Sequence, residues 1–231
     1  MLELRQVSLK FGNRSVLDNV GFRLQPGERV GVLGASGAGK SSLLKMAAGL
    51  LPATSGAVIN SYRHPLLVFQ EPRLLPWRRV RENVEIPLVA AGSRKEQARA
   101  RADHWLGKVG LDGYHHAWPR ELSGGMAQRA ALARAFALQP DLLLLDEPFS
   151  ALDPALRADL GELCTQCLRD TGAAMLCISH HPQELVNMVD RCILISHGRL
   201  IHFDIDGSHE MRASVARDLH DILLNQDNAS E

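Results

Sequence analysis

The chain has 231 residues, 45% hydrophobic and 23% charged, the profile of a globular protein large enough to bury a core without disulfides or metals. Its 26 Lys and Arg balance 26 Asp and Glu, which excludes a globally basic nucleic-acid binder, and no nucleic-acid partner is expected. No apolar run reaches the roughly eighteen residues of a membrane span, and Met1-Leu2-Glu3-Leu4-Arg5 places charges where a signal peptide carries an apolar stretch, so the chain is expected in the cytosol, with any membrane role exercised through a partner.

Leu2, Leu4, Val7 and Leu9 alternate, and 16–24 mixes apolar and polar residues. Both stretches read as strands of a small sheet. After the turn at Pro26-Gly27, residues 29–33 form a short buried strand that runs into a glycine-rich loop. Leu43, Leu44, Ala47 and Ala48 have helical spacing over 40–50, ended by Gly49 and Pro52. Residues 66–69 are another buried strand. The texture then changes: 71–121 is richer in charge and carries no strong strand signal, with a helix over 96–109. The basic run 94–101 reads as the solvated face of that helix. A second helix covers 123–138, with Ser123 as N-cap and Pro140 just past its end. Four consecutive leucines, 142–145, suit a strand of a parallel sheet buried on both faces. Residues 155–169 read as a helix, 173–178 and 192–195 as two more buried strands. Val215, Leu219, Ile222 and Leu223 mark a closing amphipathic helix, and the last seven residues read as a frayed polar tail. The alternation of strands and helices is that of an α/β protein.

Residues 34–41, Gly34-Ala35-Ser36-Gly37-Ala38-Gly39-Lys40-Ser41, follow the G-x-x-x-x-G-K-[ST] pattern between a strand and a helix. Glycines let successive amides turn inward into an anion-binding nest, and the helix start behind them points at the same anion. Lys40 adds a positive charge near the β- and γ-phosphates, and the Ser41 hydroxyl is placed to ligate Mg²⁺. Asp146-Glu147 closes the leucine strand, at the carboxyl end where open parallel sheets bind ligands. Asp146 is expected to hold Mg²⁺ opposite Ser41. Glu147 points elsewhere and is expected to accept a proton from, or to orient, the water that attacks the γ-phosphate. Cys164-Thr165-Gln166-Cys167 has a metal-like spacing, but on a helix these cysteines share one face and read as core, so no metal is expected there.

Between these sites lies Leu122-Ser123-Gly124-Gly125-Met126-Ala127-Gln128-Arg129. Coming after the phosphate loop and before Leu145-Asp146-Glu147-Pro148, it resembles the L-S-G-G-Q signature of ATP-binding cassette (ABC) proteins, and the resemblance covers almost the whole chain. It implies a P-loop NTPase core with a mainly parallel sheet, an N-terminal antiparallel β subdomain and an inserted α-helical subdomain. The division would be a nucleotide-binding core of 1–70 and 134–231 and a helical subdomain of 71–133, all within one cassette spanning 1–231. ATP and Mg²⁺ are the implied ligands, and ATP hydrolysis the implied activity.

The resemblance carries over residue by residue. Phe11 stands where a tyrosine usually stacks on adenine, and residues 34–41 together with Ser42 bind the phosphates. Gln70 matches the glutamine that senses Mg²⁺ and the attacking water, Ser150-Ala151-Leu152-Asp153 the loop that communicates across a dimer through Asp153, and His180 the switch histidine at the γ-phosphate. Ser123, Gly124 and Gly125 would complete the site of a second cassette, so a homodimer is implied. The sequence departs from the family pattern at Met126, Ala127 and His181, none of which removes a group the chemistry needs.

The single cassette without a coiled-coil insertion implies a subunit that drives separate integral membrane permease chains, peripheral on the cytoplasmic face of the inner (plasma) membrane. The stretch 69–77, with its Leu-Leu-Pro-Trp run, and the Ser-Gly-Gly-Met form of the signature are most like the nitrate, sulfonate and taurine branch of importers. That branch implies a periplasmic or extracellular solute-binding protein acting through the permease. A soluble ABC ATPase in a non-transport or regulatory role, or the ATPase of an exporter, stays open as the alternative.

Overall fold

The computed structural model describes residues 1–205 and 208–228, with side chains for most of them. By packing, the chain divides into two units. The first comprises Met1–Leu67, Asp141–Glu147 and the chain from Leu168 onward; the second comprises Val68–Pro140 and Pro148–Cys167.

In the first unit β1 (Leu2–Phe11) pairs antiparallel with β2 (Arg14–Leu24) and with β4 (Ser55–Asn60), giving a three-stranded sheet in the order β2-β1-β4. The second sheet is built on β3 (Arg29–Gly34), β5 (Pro65–Val68), β6 (Leu142–Asp146), β7 (Ala174–Ile178), β8 (Arg191–Ser196) and β9 (Arg199–Asp204), in the order β5-β6-β7-β3-β8-β9. β3 runs parallel to β7 and β8, β6 runs parallel to β7, and the β8–β9 hairpin is antiparallel. This is the expected α/β P-loop architecture with its antiparallel N-terminal sheet.

The four leucines of β6 are all buried, as a central strand requires. Their side chains alternate between faces. Leu142 and Leu144 join Val30, Val32, Leu176, Ile178, Ile193 and Ile195 in one core with the inner face of the small sheet and with Leu43, Leu44, Met46 and Ala47 of α1 (Lys40–Ala47). On the opposite face lies α6 (Pro182–Met188), where a Cβ at Gly31 would come within 2.6 Å of Leu185 Cδ2, so the glycine lets Leu185 pack close against the strand. The closing helix α7 (His209–Asn228) buries Val215 and Leu219 as expected, and the Arg212 guanidinium donates to the carbonyls of Val186 and Val189. It runs on into the tail that the sequence reads as frayed, and residues 229–231 of that tail lie outside the described residues.

The second unit holds α2 (Val80–Ala90), α3 (Lys95–Lys108) and α4 (Gly124–Ala137). Trp105 of α3 packs on Phe136 of α4 with ring centroids 5.3 Å apart, and the Arg129 guanidinium caps the end of α3 by donating to Val109 O and Gly110 O at 2.9 and 3.0 Å. Along α3, Ala98 and Ala102 are buried while Lys95 and Arg99 are exposed or nearly so, so the basic run is a solvated face. Helix α2 escapes the sequence reading because Pro87 interrupts its pattern. Its buried Asn83 accepts from Leu75 N at 2.6 Å and donates to Arg78 O and Arg79 O at 3.1 and 3.0 Å, so one side chain pins the loop before the helix. Residues 148–167, which the sequence assigns to the nucleotide core, group with this unit. A Cβ at Gly125 would lie 3.1 Å from Leu152 Cδ2, so the start of α4 and the 151–152 turn are in direct contact.

Helix α5 (Pro154–Thr171) carries Cys164, buried, and Cys167, half-buried. Among the described residues no three or more His, Cys, Asp or Glu side chains gather as metal ligands, and no helix is long and apolar enough to cross a membrane.

Candidate nucleotide-binding site

Strand β3 delivers the chain into the loop 35–39, and α1 starts directly behind it. Gly39 is the N-cap of α1 with φ 104°, a left-handed backbone, and no side chain caps the helix. The first amides of α1 are therefore left for an incoming anion. A Cβ on Gly39 would come within 2.6 Å of Val16 Cγ1, so the wall of β2 and the positive φ both require glycine here. Ser36 and Gly37 at the crest are exposed. Lys40 is buried to 6% exposure, and its Nζ donates to Gly34 O at 2.7 Å and Ala35 O at 2.9 Å, holding the ammonium against the base of the loop. Ser42 follows on the first turn of α1, half-buried.

Strand β6 ends at Asp146, whose Oδ1 accepts from Ser41 Oγ at 3.1 Å. Burial pushes the Asp146 carboxyl above its ordinary range, opposed by the Ser41 hydrogen bond. The next residue, Glu147, has φ 49°, a left-handed conformation that costs a non-glycine residue of order 1–3 kcal/mol. Its N–H donates to Ile178 O at 3.2 Å, and its Oε1 faces His180 Nε2 at 2.7 Å. The backbone turn thus sends two consecutive carboxylates to different partners, a hydroxyl and an imidazole. His181 instead starts a helix. Its N–H donates to Ser179 Oγ at 3.0 Å and it is the N-cap of α6, with Pro182 in the first turn.

Phe11 ends β1 and is 53% exposed. The remaining sequence-derived residues belong to the second unit. Gln70 lies just beyond β5. Ser123 is the N-cap of α4 and accepts from Met126 N at 3.3 Å; Gly124 faces open space and Gly125 lies against the 151–152 turn. Asp153 accepts from Leu156 N at 3.0 Å at the start of α5. The structure therefore gathers Lys40, Ser41, Asp146, Glu147 and His180 in the first unit, and Gln70, Ser123, Gly125 and Asp153 in the second.

Residues 17–150 match the family model described as ABC transporter. The chain belongs to that family. It is 43% identical over 200 residues to the aliphatic sulfonates import ATP-binding protein SsuB of Mycobacterium avium (strain 104), covering 87% of this chain and 79% of the relative. It is 42% identical over 201 residues to SsuB 2 of Paracoccus denitrificans (strain Pd 1222), covering 87% and 80%. A dimeric structure of the ATP-binding cassette MJ0796 in a post-hydrolysis state, bound to ADP and Pi, superimposes with a TM-score of 0.83 at 29% identity, over 90% of this chain and all of that one. A second dimeric structure of MJ0796 gives 0.82 at 28% identity, over the same shares.

As an ABC cassette the chain is an ATPase that binds ATP with Mg²⁺. The donor set fits a magnesium ion: a hydroxyl and a buried carboxylate already touch, and both are oxygen ligands. Bound there with ATP, magnesium would neutralise charge on the β- and γ-phosphates.

The sequence marks Val16 only as a strand residue. No local pattern announces its contact with the phosphate loop, because the two meet through the placing of the small sheet. Gly39→Ala is expected to weaken ATP binding more than tenfold and to lower stability by about 1–3 kcal/mol, the cost of a strained backbone and a displaced Val16. Gly49→Ala, with φ 73° but open space around its Cβ position, is expected to cost stability alone. Urea titration without nucleotide and calorimetric titration with ATP read the two effects separately; wild-type ATP affinity in Gly39→Ala would show that the loop tolerates another conformation.

Proposed function

We propose that the chain is the ATP-hydrolysing subunit of an importer for aliphatic sulfonates or a related small oxyanion. Two copies form a homodimer, bound to separate integral permease subunits on the cytoplasmic face of the inner (plasma) membrane. A periplasmic or extracellular binding protein delivers the solute. The names of the SsuB relatives support the solute class. The observation that carries the catalytic reading is the pairing of Ser41 on α1 with Asp146 at the end of β6, and of Glu147 with His180 after the neighbouring strands β6 and β7.

In this reading Phe11 stacks on adenine, and loop amides, Lys40 and Ser42 hold the phosphates. Ser41, Asp146 and Gln70 serve the magnesium ion and the attacking water. Glu147 takes or orients a proton of that water, and His180 donates to the γ-phosphate while fixing Glu147. Ser123, Gly124 and Gly125 of one protomer close the site of its partner, and Asp153 carries the state of one site to the other. The segment 71–133 acts as the helical subdomain that couples the site to the permease. Trp77, 66% exposed on the loop pinned by Asn83, supports a docking role for that region.

ATP-driven uptake of an alkanesulfonate into vesicles carrying the permease tests the whole assignment; uptake of nitrate or taurine in preference to sulfonate would redirect the solute. Glu147→Gln is expected to lower turnover by about 10²–10⁴-fold with ATP binding intact, and to accumulate an ATP-bound dimer. Near-normal hydrolysis would refute its role. His180→Ala is expected to lose about tenfold or more in rate, while His181→Ala keeps most of it; the reverse ranking would mean the motif is displaced by one residue.

Trp77→Ala is expected to weaken permease assembly or transport while the isolated subunit keeps its basal ATPase and its melting temperature. An exposed aromatic anchor at an interface is worth about 2 kcal/mol. Unchanged assembly and transport in this variant would refute the docking role.

A further inference from the structure

We infer that Arg14 is a second cationic ligand for the phosphate chain of the nucleotide, supplied by the same protomer that supplies the phosphate loop. The inference rests on nucleotide binding at residues 34–42 and adds a residue that no motif contains.

The β1–β2 hairpin sets the geometry. In its register Phe11 is the direct cross-strand partner of Arg14, and Lys10 that of Ser15, so the aromatic and the guanidinium leave the hairpin tip side by side. Arg14 and Val16 lie two apart on β2, beside a register irregularity between Leu9 and Lys10, and both side chains reach the phosphate loop. Val16 Cγ1 is 2.6 Å from the Cβ position of Gly39, and Arg14 Nη2 is 3.5 Å from the Cβ position of Gly37. The guanidinium therefore lies beside the crest of the loop at Gly37, on the residue paired with Phe11. A nucleotide with its base on Phe11 and its phosphates at the helix start passes this point.

The side chain is available for that role. Arg5 and Arg23 are paired with Glu3, Arg29 with Asp190 and Arg191 with Glu28. Arg14 is exposed, and among the described residues no carboxylate or carbonyl accepts from it. An arginine whose Nη2 lies 3.5 Å from where a Gly37 Cβ would stand, with no carboxylate pairing it among the described residues, raises the positive potential on the open side of that loop. Lys40 Nζ donates to the Gly34 and Ala35 carbonyls at the base of the loop, whereas Arg14 stands beside its exposed crest. A planar guanidinium presents paired donors that match two phosphate oxygens, and its charge persists at every relevant pH.

Calorimetric titration of the full chain with ATP and Mg²⁺ tests the inference, on wild type, Arg14→Ala, Arg14→Lys, Arg14→Gln and Lys40→Ala. Arg14→Ala is expected to raise the ATP Kd about three- to tenfold, the range of one solvent-accessible charge-assisted contact. Arg14→Lys should recover part of the loss and Arg14→Gln none. The loss should shrink as salt rises, because a surface charge is screened. The melting temperature without nucleotide should not change in any Arg14 variant. Wild-type affinity in Arg14→Ala overturns the inference. So does wild-type affinity in Arg14→Gln, which would mark a neutral hydrogen bond to the sugar, or a drop in melting temperature that accounts for the lost binding. Lys40→Ala separates the levels: if it binds ATP as wild type does, nucleotide binding at this loop fails and the Arg14 inference falls with it, whereas its loss beside an unaffected Arg14→Ala removes only the latter.

Discussion

The site depends on the register of three adjacent parallel strands. β6, β7 and β3 are neighbours in the sheet, with Asp146 opposite Ile178 and Ile178 opposite Val32. That alignment brings three chain segments out of the sheet at one edge: the phosphate loop after β3, Asp146-Glu147 after β6, and Ser179-His180 after β7. Each segment is far from the others in sequence. A slip of one residue in β6 would turn Leu142 and Leu144 out of the core they share with Leu176 and Ile178, and would move Asp146 away from Ser41. The hydrophobic alternation that stabilises the sheet is thus what fixes the distances of the polar site.

Two local backbone choices convert alignment into chemistry. Glu147 adopts a left-handed φ and is held there by the bond from its N–H to Ile178 O. An extended residue at this position would send its side chain to the opposite face from Asp146 with no control over what it meets. The turn brings its carboxylate to His180 instead. At Gly39 the strained geometry is relieved by the absence of a side chain, and the space is taken by Val16. Strain at one point and close packing at the other both concentrate at the carboxyl edge of the sheet, the edge at which open parallel sheets bind ligands.

The parts legible in the sequence are those whose signal is local. The leucine run of β6, the glycine–lysine loop, the Ser123 cap and the closing helix are all encoded by neighbouring residues, and each stands where its pattern put it. Helix α2 is hidden by Pro87, which sits near its end and removes only one amide from the ladder. β4 and β9 are missed because they are edge strands whose residues are largely exposed, so neither shows the continuous apolar run of a buried strand. The grouping of 148–167 with the helical unit is hidden for a different reason: it comes from tertiary contacts such as the approach of Leu152 to Gly125, which no composition signal can announce. Arg14 and Val16 are the same kind of case, since their partners in the loop are reached only through the pairing of a separate sheet.

The treatment of helix starts follows the same division between structure and function. α2 begins with Glu82 reaching back to Arg79 N at 2.7 Å, α4 with Ser123 accepting from Met126 N, and α5 with Asp153 accepting from Leu156 N. Each such cap contributes about 0.5–2 kcal/mol by satisfying an amide that the helix itself cannot. α1 alone among these four has a glycine N-cap and no side-chain acceptor. Its buried lysine is turned to backbone carbonyls and its neighbouring aspartate is held out of water. Groups of opposite preference thus stand close together: bare helix amides and an ammonium that suit phosphate oxygens, and a carboxylate with a hydroxyl that suits a cation. In the proposed binding mode a metal–nucleotide complex engages both sets at once, and the contact of phosphate oxygens with the bare amides of α1 offsets what that helix forgoes as uncapped, so nucleotide binding would stabilise the fold.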